Sequence, residues 1–440
     1  MDSLTITGGT SANGGGINVY SSSVSLSNST VSGNSASSRG GGIYARSSSS
    51  VSLSNSTVPD NSASVGGGIY ARLSSSVSLN NNSTVSGNSA VTDGGGIYAR
   101  FASVSLNNST VSGNSASADG GGIYAIFSSV SLDNSAVSSN SATNRGGGIF
   151  ARYGSTSVSL GNSTVSDNSA IYGGGIHARS SSSVSLSNST VSGNSAFSQG
   201  GGIYAAFSSS VSLANSTVSG NSASADGGGI FATISASVSL SISTVSGNSA
   251  AARGGGVFSS SDSSVSLSNS TVSGNSASDG GGIFARSSSS VSLANSTVSD
   301  NSASNGGGIF ARSSSSVSLA NSIVANSLGG GDCTNSSSTV TADSATIIED
   351  NTCGAQRSGD PRLLPLANNG GATKTHALKS NSIAQNTGDF GTCEVEDQRG
   401  QLRNDGDSTC DVGAIEYNPN DDSSFFVIPL GSGKVVIFGL

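Results

Sequence analysis

Tryptophan is absent from the 440 residues, and charged side chains make up only 10% of them. With 17 Lys and Arg against 25 Asp and Glu the net charge is −8. That balance offers no basic stripe to displace counterions from a phosphate backbone, so nucleic acid is not an expected partner. Apolar runs are also short. The longest, Phe425 to Leu430 and Val435 to Phe438, are interrupted by Pro429, Gly431, Gly433 and Lys434, which excludes a membrane span. The opening Met-Asp-Ser-Leu-Thr-Ile-Thr has no basic n-region and no apolar h-region, so no secretion signal is visible. Because a repeat begins almost at once, an N-terminally truncated segment is the expectation. No cysteine precedes Cys333.

What is abundant is glycine, 62 residues, together with Ser, Asn and Thr. Such composition is that of low-complexity chains, but disorder does not keep register, and this chain does. An aliphatic residue follows three glycines at Ile17, Ile43, Ile69, Ile97, Ile123, Ile149, Ile176, Ile203, Ile230, Val257, Ile283 and Ile309, at spacings of 26 to 28 residues. A unit of that size cannot bury its own apolar face, because a few aliphatics do not offset the backbone entropy of the whole coil. Copies must therefore stack into a solenoid with one continuous core.

Between copies the spacing Val51, Leu53, Val58, Asn61 is nearly invariant, and length changes fall in the Ser run before the first valine and between the Asn and the glycines. Those variable parts are turns. The fixed parts alternate with period two (Ile43, Ala45; Val51, Leu53; Val58), which predicts three short strands per coil, each pairing in parallel with its counterpart in the next copy. Two asparagine columns run through the repeats. One contains Asn28, Asn55 and Asn82 and is broken only by Ile242; the other contains Asn34, Asn61 and Asn88. Asn tolerates the left-handed conformation of sharp corners, and stacked amides can hydrogen-bond up a column, so both are expected to be structural ladders.

The motif Val31 to Ala36, a variable turn, then Gly40 to Tyr44 resembles the repeats of polymorphic outer-membrane proteins, with Val31 where that family has Phe. It is still more similar to bacterial surface proteins of the choice-of-anchor Q type. The motifs Gly359-Asp360-Pro361, Leu366 to Gly371, Thr375-His376-Ala377-Leu378, Asp397-Gln398-Arg399-Gly400 and Cys410 to Tyr417 match that family's terminal pattern in order. Where the family has Ser-Pro-Ala-Ile-Asp, this chain has Asn381-Ser382-Ile383-Ala384-Gln385. The resemblance implies a right-handed parallel β-helix on the bacterial exterior and supplies no activity.

Four cysteines allow three connectivities; the sequential pairs Cys333 with Cys353 and Cys393 with Cys410 close short loops. Zinc is the competing reading, but no Cys-x-x-Cys occurs and His376 is the one nearby histidine. Disulfides point to an oxidising exterior. The expected organisation is a β-helix of about 12 to 14 coils over residues 1–328, a terminal coil and disulfide-bonded cap shielding its open end over 329–417, and an apolar hairpin or tail over 418–440.

Three columns could carry function. Following the inward isoleucine, Tyr44, Tyr70, Tyr98, Tyr124, Phe150, His177, Tyr204 and the phenylalanines after them should point outward, with Arg46, Arg72, Arg100, Arg152 and Arg179 two residues on. An exposed aromatic ladder beside guanidinium groups can stack on sugars or anchor a protein; the structural alternative is that each ring covers its neighbour. Just before the glycines run Arg39, Val65, Asp93, Asp119, Arg145, Tyr172, Gln199, Asp226, Arg253 and Asp279. Asp93 and Asp119, on successive coils about 5 Å apart, are compatible with a glycosidase pair or calcium ligands, or with a solvated turn. Outward Thr30 and Ser32, Thr57 and Pro59, Thr84 and Ser86 resemble the Thr-x-Thr faces of ice-binding solenoids. The reading that follows is an extracellular, non-catalytic, adhesin-like β-helix with the aromatic and arginine ladder as contact surface for a glycan or a surface protein. No catalytic residue, metal or cofactor is assigned. The alternatives are a polysaccharide-degrading enzyme of the pectate-lyase-like type and an ice-binding solenoid.

Overall fold

The computed structural model describes residues 1–403 and 409–421, and the backbone of Phe425–Leu430 and Lys434–Gly439. The repeats form a parallel β-solenoid in which each coil adds one strand to each of several long sheets. The threonine sheet has 14 strands, from Thr5–Thr7 to Ile347–Ile348; the aromatic sheet (Ile17–Tyr20 to Cys333–Ser336) and the serine sheet (Ser23–Ser27 to Thr339–Ala342) have 13 each. These are the three strands that the alternation predicts. A fourth, short sheet of 10 strands, Thr10–Asn13 to Ser249–Ala250, fills the segment between the Asn and the glycines. Its strands shrink to two residues in places, such as Ser89–Ala90, too short for an alternation to register.

Pairing is like on like: Ile69 lies against Ile43, Tyr70 against Tyr44, Ala71 against Ala45. Ile43, Ala45, Val51, Leu53 and Val58 are fully buried, and their equivalents continue the same core from coil to coil. The glycine triplet is required by the turn between the short and aromatic sheets. Gly40 has φ +64°, and a Cβ on Gly41 would lie 2.3 Å from the Gly67 carbonyl oxygen and 2.4 Å from that of Ser62. The next coil passes too close for any side chain.

The two asparagine columns differ in role. Asn28, Asn55 and Asn82 adopt left-handed backbone (φ 49°, 48° and 61°) at an outer corner, and Asn55 Nδ2 donates to Asn28 Oδ1 at 2.7 Å. At the second column the left-handed position belongs to the preceding residue, Gly33 or Asp60, rather than to the asparagine. That frees Asn34, Asn61 and Asn88 to turn inward, where Nδ2 of Asn34 donates to Asn61 Oδ1 at 3.0 Å and Nδ2 of Asn61 to Asn88 Oδ1 at 3.0 Å. Buried serines form a parallel device: the Ser29 amide donates to Ser56 Oγ at 3.0 Å and that of Ser56 to Ser83 Oγ at 3.2 Å.

After the last strands, Cys333 and Cys353 are joined, and Cys353 and Ala355 pack against the end of the core. Cys393 and Cys410 form the second disulfide. The rest of the module does more than shield the end: it folds back along the outside of the threonine sheet. Gln398 accepts from Thr271 Oγ1 at 2.6 Å and donates to Thr244 Oγ1 at 3.0 Å, Ser273 Oγ meets His376 Nε2 at 2.8 Å, and Arg403 donates to Asn269 Oδ1 at 3.0 Å. Where the threonine column changes to outward Ile323 and Ala325, Leu378, Ala384 and Val412 cover them. Near the chain end, Phe425–Leu430 and Lys434–Gly439 pair antiparallel, as expected of a hairpin; the residues between them lie outside the described ones.

Candidate functional site

The aromatic sheet turns Ile and Ala inward and the next residues outward, as the alternation requires. The outward rings are nevertheless buried. Tyr44, Tyr70 and Tyr124 are 3 to 4% exposed, Tyr98 8% and Phe150 0%, with Tyr204 half-buried. Rings repeating at the rung spacing stack: Tyr70 and Tyr98 lie 4.8 Å apart at 4°, Phe231 and Phe258 4.6 Å apart at 4°. Flanking side chains close the remaining edges, Val65 on one side and Phe127 and Tyr153 on the other. The expectation of an open aromatic ladder is therefore corrected. In-register stacking spends the ring faces on one another, leaving an outer core rather than a contact surface. The arginines two residues on stay accessible, Arg46, Arg72 and Arg152 half-buried and Arg100 exposed. They form a basic line that the overall charge of −8 conceals.

A second aromatic column, which the sequence reading missed, stands beside that line. Leu73, Phe101, Phe127, Tyr153, Phe207 and Ile234 occupy the corner after the aromatic strands. All six have left-handed backbone, with φ between 48° and 73°. Phe101 stacks on Phe127 at 4.9 Å, and Phe127 on Tyr153 at 5.1 Å. Phe101 is 45% exposed and Phe207 39%. Arginines cover some faces: Arg152 lies 4.4 Å from the Tyr153 centroid and Arg179 4.5 Å from that of Phe207. Other coils place serine at this corner, for example Ser47, Ser287 and Ser313. A bulky side chain at positive φ is strained, and at Phe101 and Phe207 it is also exposed to water, although Phe127 and Tyr153 pack on the inner ladder. The available signal was an aromatic directly after the strand, in Arg100-Phe101, Ile126-Phe127 and Arg152-Tyr153, where only a turn was read.

Both columns are interrupted on the same coil. The inner ladder has His177 in place of Tyr or Phe, and the outer corner has Ser180. A groove of about 260 Å³ lies there, lined by Arg145, His177, Arg179, Gln199, Tyr204 and Phe207 among others. His177 is 2% exposed; its Nδ1 faces the Tyr172 carbonyl at 3.3 Å, and its Nε2 has no partner among the described residues. Burial pushes its pKa down to about 3, with Arg145, Arg179 and Arg152 adding to the effect, so the ring is neutral. The Nδ1 contact assigns the proton to that nitrogen and leaves Nε2 as an acceptor. Arg179 makes no salt bridge among the described residues, and burial followed by the charges of Arg145 and Arg152 lowers its pKa.

The acidic candidates lie close by. Asp119 donates its backbone amide to Asp93 Oδ1 at 3.3 Å, its Oδ2 lies 3.5 Å from Arg145 Nη1, and its Oδ1 is buried without a partner. Burial raises both carboxyl pKa values, and Asp119 raises that of Asp93 further. Farther along the column Arg253 pairs with Asp226 at 2.9 Å. On the threonine sheet Thr57 Oγ1 donates to Thr30 Oγ1 at 3.2 Å, and the C-terminal module covers the array from Thr244 onward.

A family model described as the right handed beta helix region matches residues 1–129, 95–264 and 202–387. The chain belongs to this family. The crystal structure of pectate lyase Pel9A is similar at a TM-score of 0.48 and 14% identity, covering 84% of this chain and 88% of that one. No curated protein matches the sequence. In this right-handed β-helix, no group of three or more His, Cys, Asp or Glu suited to a metal occurs among the described residues, and no helix there is long and apolar enough to cross a membrane. What the aromatic face of the β-helix offers chemically is a line of guanidinium donors, partly exposed ring edges at one corner and one polar groove.

Proposed function

We propose that the chain is an extracellular, non-catalytic, adhesin-like β-helix of the bacterial surface that binds glycans along the corner formed by the arginine line and the outer aromatics. The observation that carries this reading is the run of rings at Phe101, Phe127 and Tyr153, the first exposed and the other two half-buried, in left-handed backbone where other coils use serine. Sugar rings present C–H faces that stack on aromatics and hydroxyls that accept from guanidinium. The two disulfides support an oxidising location, and the terminal motifs from Gly359 to Tyr417 support placement among choice-of-anchor Q surface proteins.

The test is a glycan array probed with the wild type and with the Phe101→Ser, Phe127→Ser, Tyr153→Ser triple variant, each change restoring the residue of other coils. Loss of binding with the sheet circular dichroism retained is expected; equal binding by both proteins would remove the corner from consideration. The enzyme alternative is favoured by the two adjacent carboxyls with raised pKa, Asp93 and Asp119. It requires sugar release from a polysaccharide panel that disappears in Asp93→Asn.

A further inference from the structure

The groove at His177 differs from the rest of the corner in chemistry, and that difference points to a class of sugar. Accepting the glycan-binding reading above, we propose that this groove selects a carboxylated sugar residue within the bound chain. Three requirements of such a residue are met in one place. A carboxylate needs convergent cationic donors, and Arg145 and Arg179 both line the groove with the Gln199 amide beside them. Arg145 has Asp119 at 3.5 Å, whereas Arg179 has no carboxylate partner among the described residues. A neighbouring hydroxyl needs an acceptor, and neutral His177 keeps its unpartnered Nε2 for that purpose. An anion without a hydroxyl, such as sulfate, would leave this acceptor unused.

The third requirement is an apolar wall for the ring. Tyr172, Tyr204 and Phe207 line the groove and supply it, while Ser180 sets no ring at the corner of this coil. At about 260 Å³ the groove falls just below the roughly 300 to 1,000 Å³ of sites for larger ligands. It holds one sugar unit, with the rest of the chain continuing along Phe127 and Phe101. The charge balance agrees: Arg145, Arg152 and Arg179 crowd one another here, and an incoming carboxylate relieves that repulsion.

The decisive experiment is calorimetric titration of the full chain with a hyaluronan tetrasaccharide, its carboxyl-reduced counterpart and a short poly-glutamate peptide. Two variants borrow residues from equivalent places on neighbouring coils and so keep the fold: Arg179→Ala, after Ala206, and His177→Phe, after Phe150 and Phe231. The wild type is expected to prefer the carboxylated sugar by at least about tenfold, the worth of one charge-assisted hydrogen bond. Arg179→Ala should erase the preference, and His177→Phe should weaken the carboxylated sugar several-fold. Equal affinity for both sugars in the wild type, or a preference untouched by either variant, overturns this proposal while leaving glycan binding intact. Poly-glutamate bound as tightly as the tetrasaccharide overturns the sugar assignment in favour of an acidic protein. If neither sugar binds and the glycan array is also blank, the broader reading falls with it.

Discussion

The repeat body and the C-terminal module use opposite strategies to become unique. In the body each contact is copied from rung to rung, Ile on Ile, amide on amide, so the same few hydrogen bonds recur and any coil resembles the next. In the module almost every contact occurs once: Arg403 reaches Asn269, Asp411 and Gly413, and Arg399 pairs with Asp397 and Asp421. The module binds a surface that is itself periodic, since the Thr and Asn columns it grips are also present on the uncovered coils. Its position is fixed by departures from the repeat. Ile323 and Ala325 stand where Thr and Ser are the rule, and the Ile242 carbonyl, at the break in the corner Asn column, accepts from Thr373 Oγ1 at 3.2 Å. Repetition supplies stability, and exceptions supply address.

The largest effect should come from breaking repetition in the middle of the body. Ile123→Ala is expected to cost about 2 to 5 kcal/mol, and because each coil contacts only its neighbours, denaturation followed by hydrogen exchange should show protection lost first around that coil. Uniform loss along the rod would contradict the nearest-neighbour picture. Opening the Cys333–Cys353 bridge with Cys353→Ser should cost about 2 to 4 kcal/mol, read as fraying of the last strands while the first coils keep their protection.

The address can be erased more gently. Ile323→Thr restores the repeat residue and should loosen the module by about 1 to 3 kcal/mol, seen as faster proteolysis after residue 357 with the circular dichroism of the body unchanged. The aromatic column offers the finest comparison, one histidine against its Tyr and Phe neighbours. With a folded pKa near 3 against 6.5 unfolded, His177 takes up its proton more readily in the unfolded chain. It therefore has no effect above about pH 6.5 and lowers stability progressively as pH falls from there toward 3. His177→Phe should abolish that part of the acid sensitivity; an identical stability profile between pH 7 and 4 in both proteins would refute it.

The coil, its inward positions and the parallel register were legible because period-two alternation and constant spacing are backbone properties that survive without knowledge of neighbours. Burial of Tyr70 and its equivalents was not, since it depends on what the rungs above and below place over the same spot. The corner rings at Phe101 and Phe127 escaped notice because turn residues follow no alternation. His177 stood in the outward column as one more member; what sets it apart emerges only when Arg145, Arg179 and Gln199 are seen on the same groove. The lateral docking of the C-terminal module had its clue in Ile323 and Ala325, which read in isolation as ordinary strand residues.

In-register pairing of near-identical coils also sets how such a molecule can change length. Duplicating or deleting one whole unit between Gly121 and Gly147 would recreate at the seam the contacts already present on either side. The rod would then grow or shorten by about 4.8 Å without a new solution to folding. Units gained between the seventh coil and Ile323 would carry the His177 groove farther from the C-terminal module, so the number of coils acts as an adjustable ruler for how far that groove stands from the chain's end.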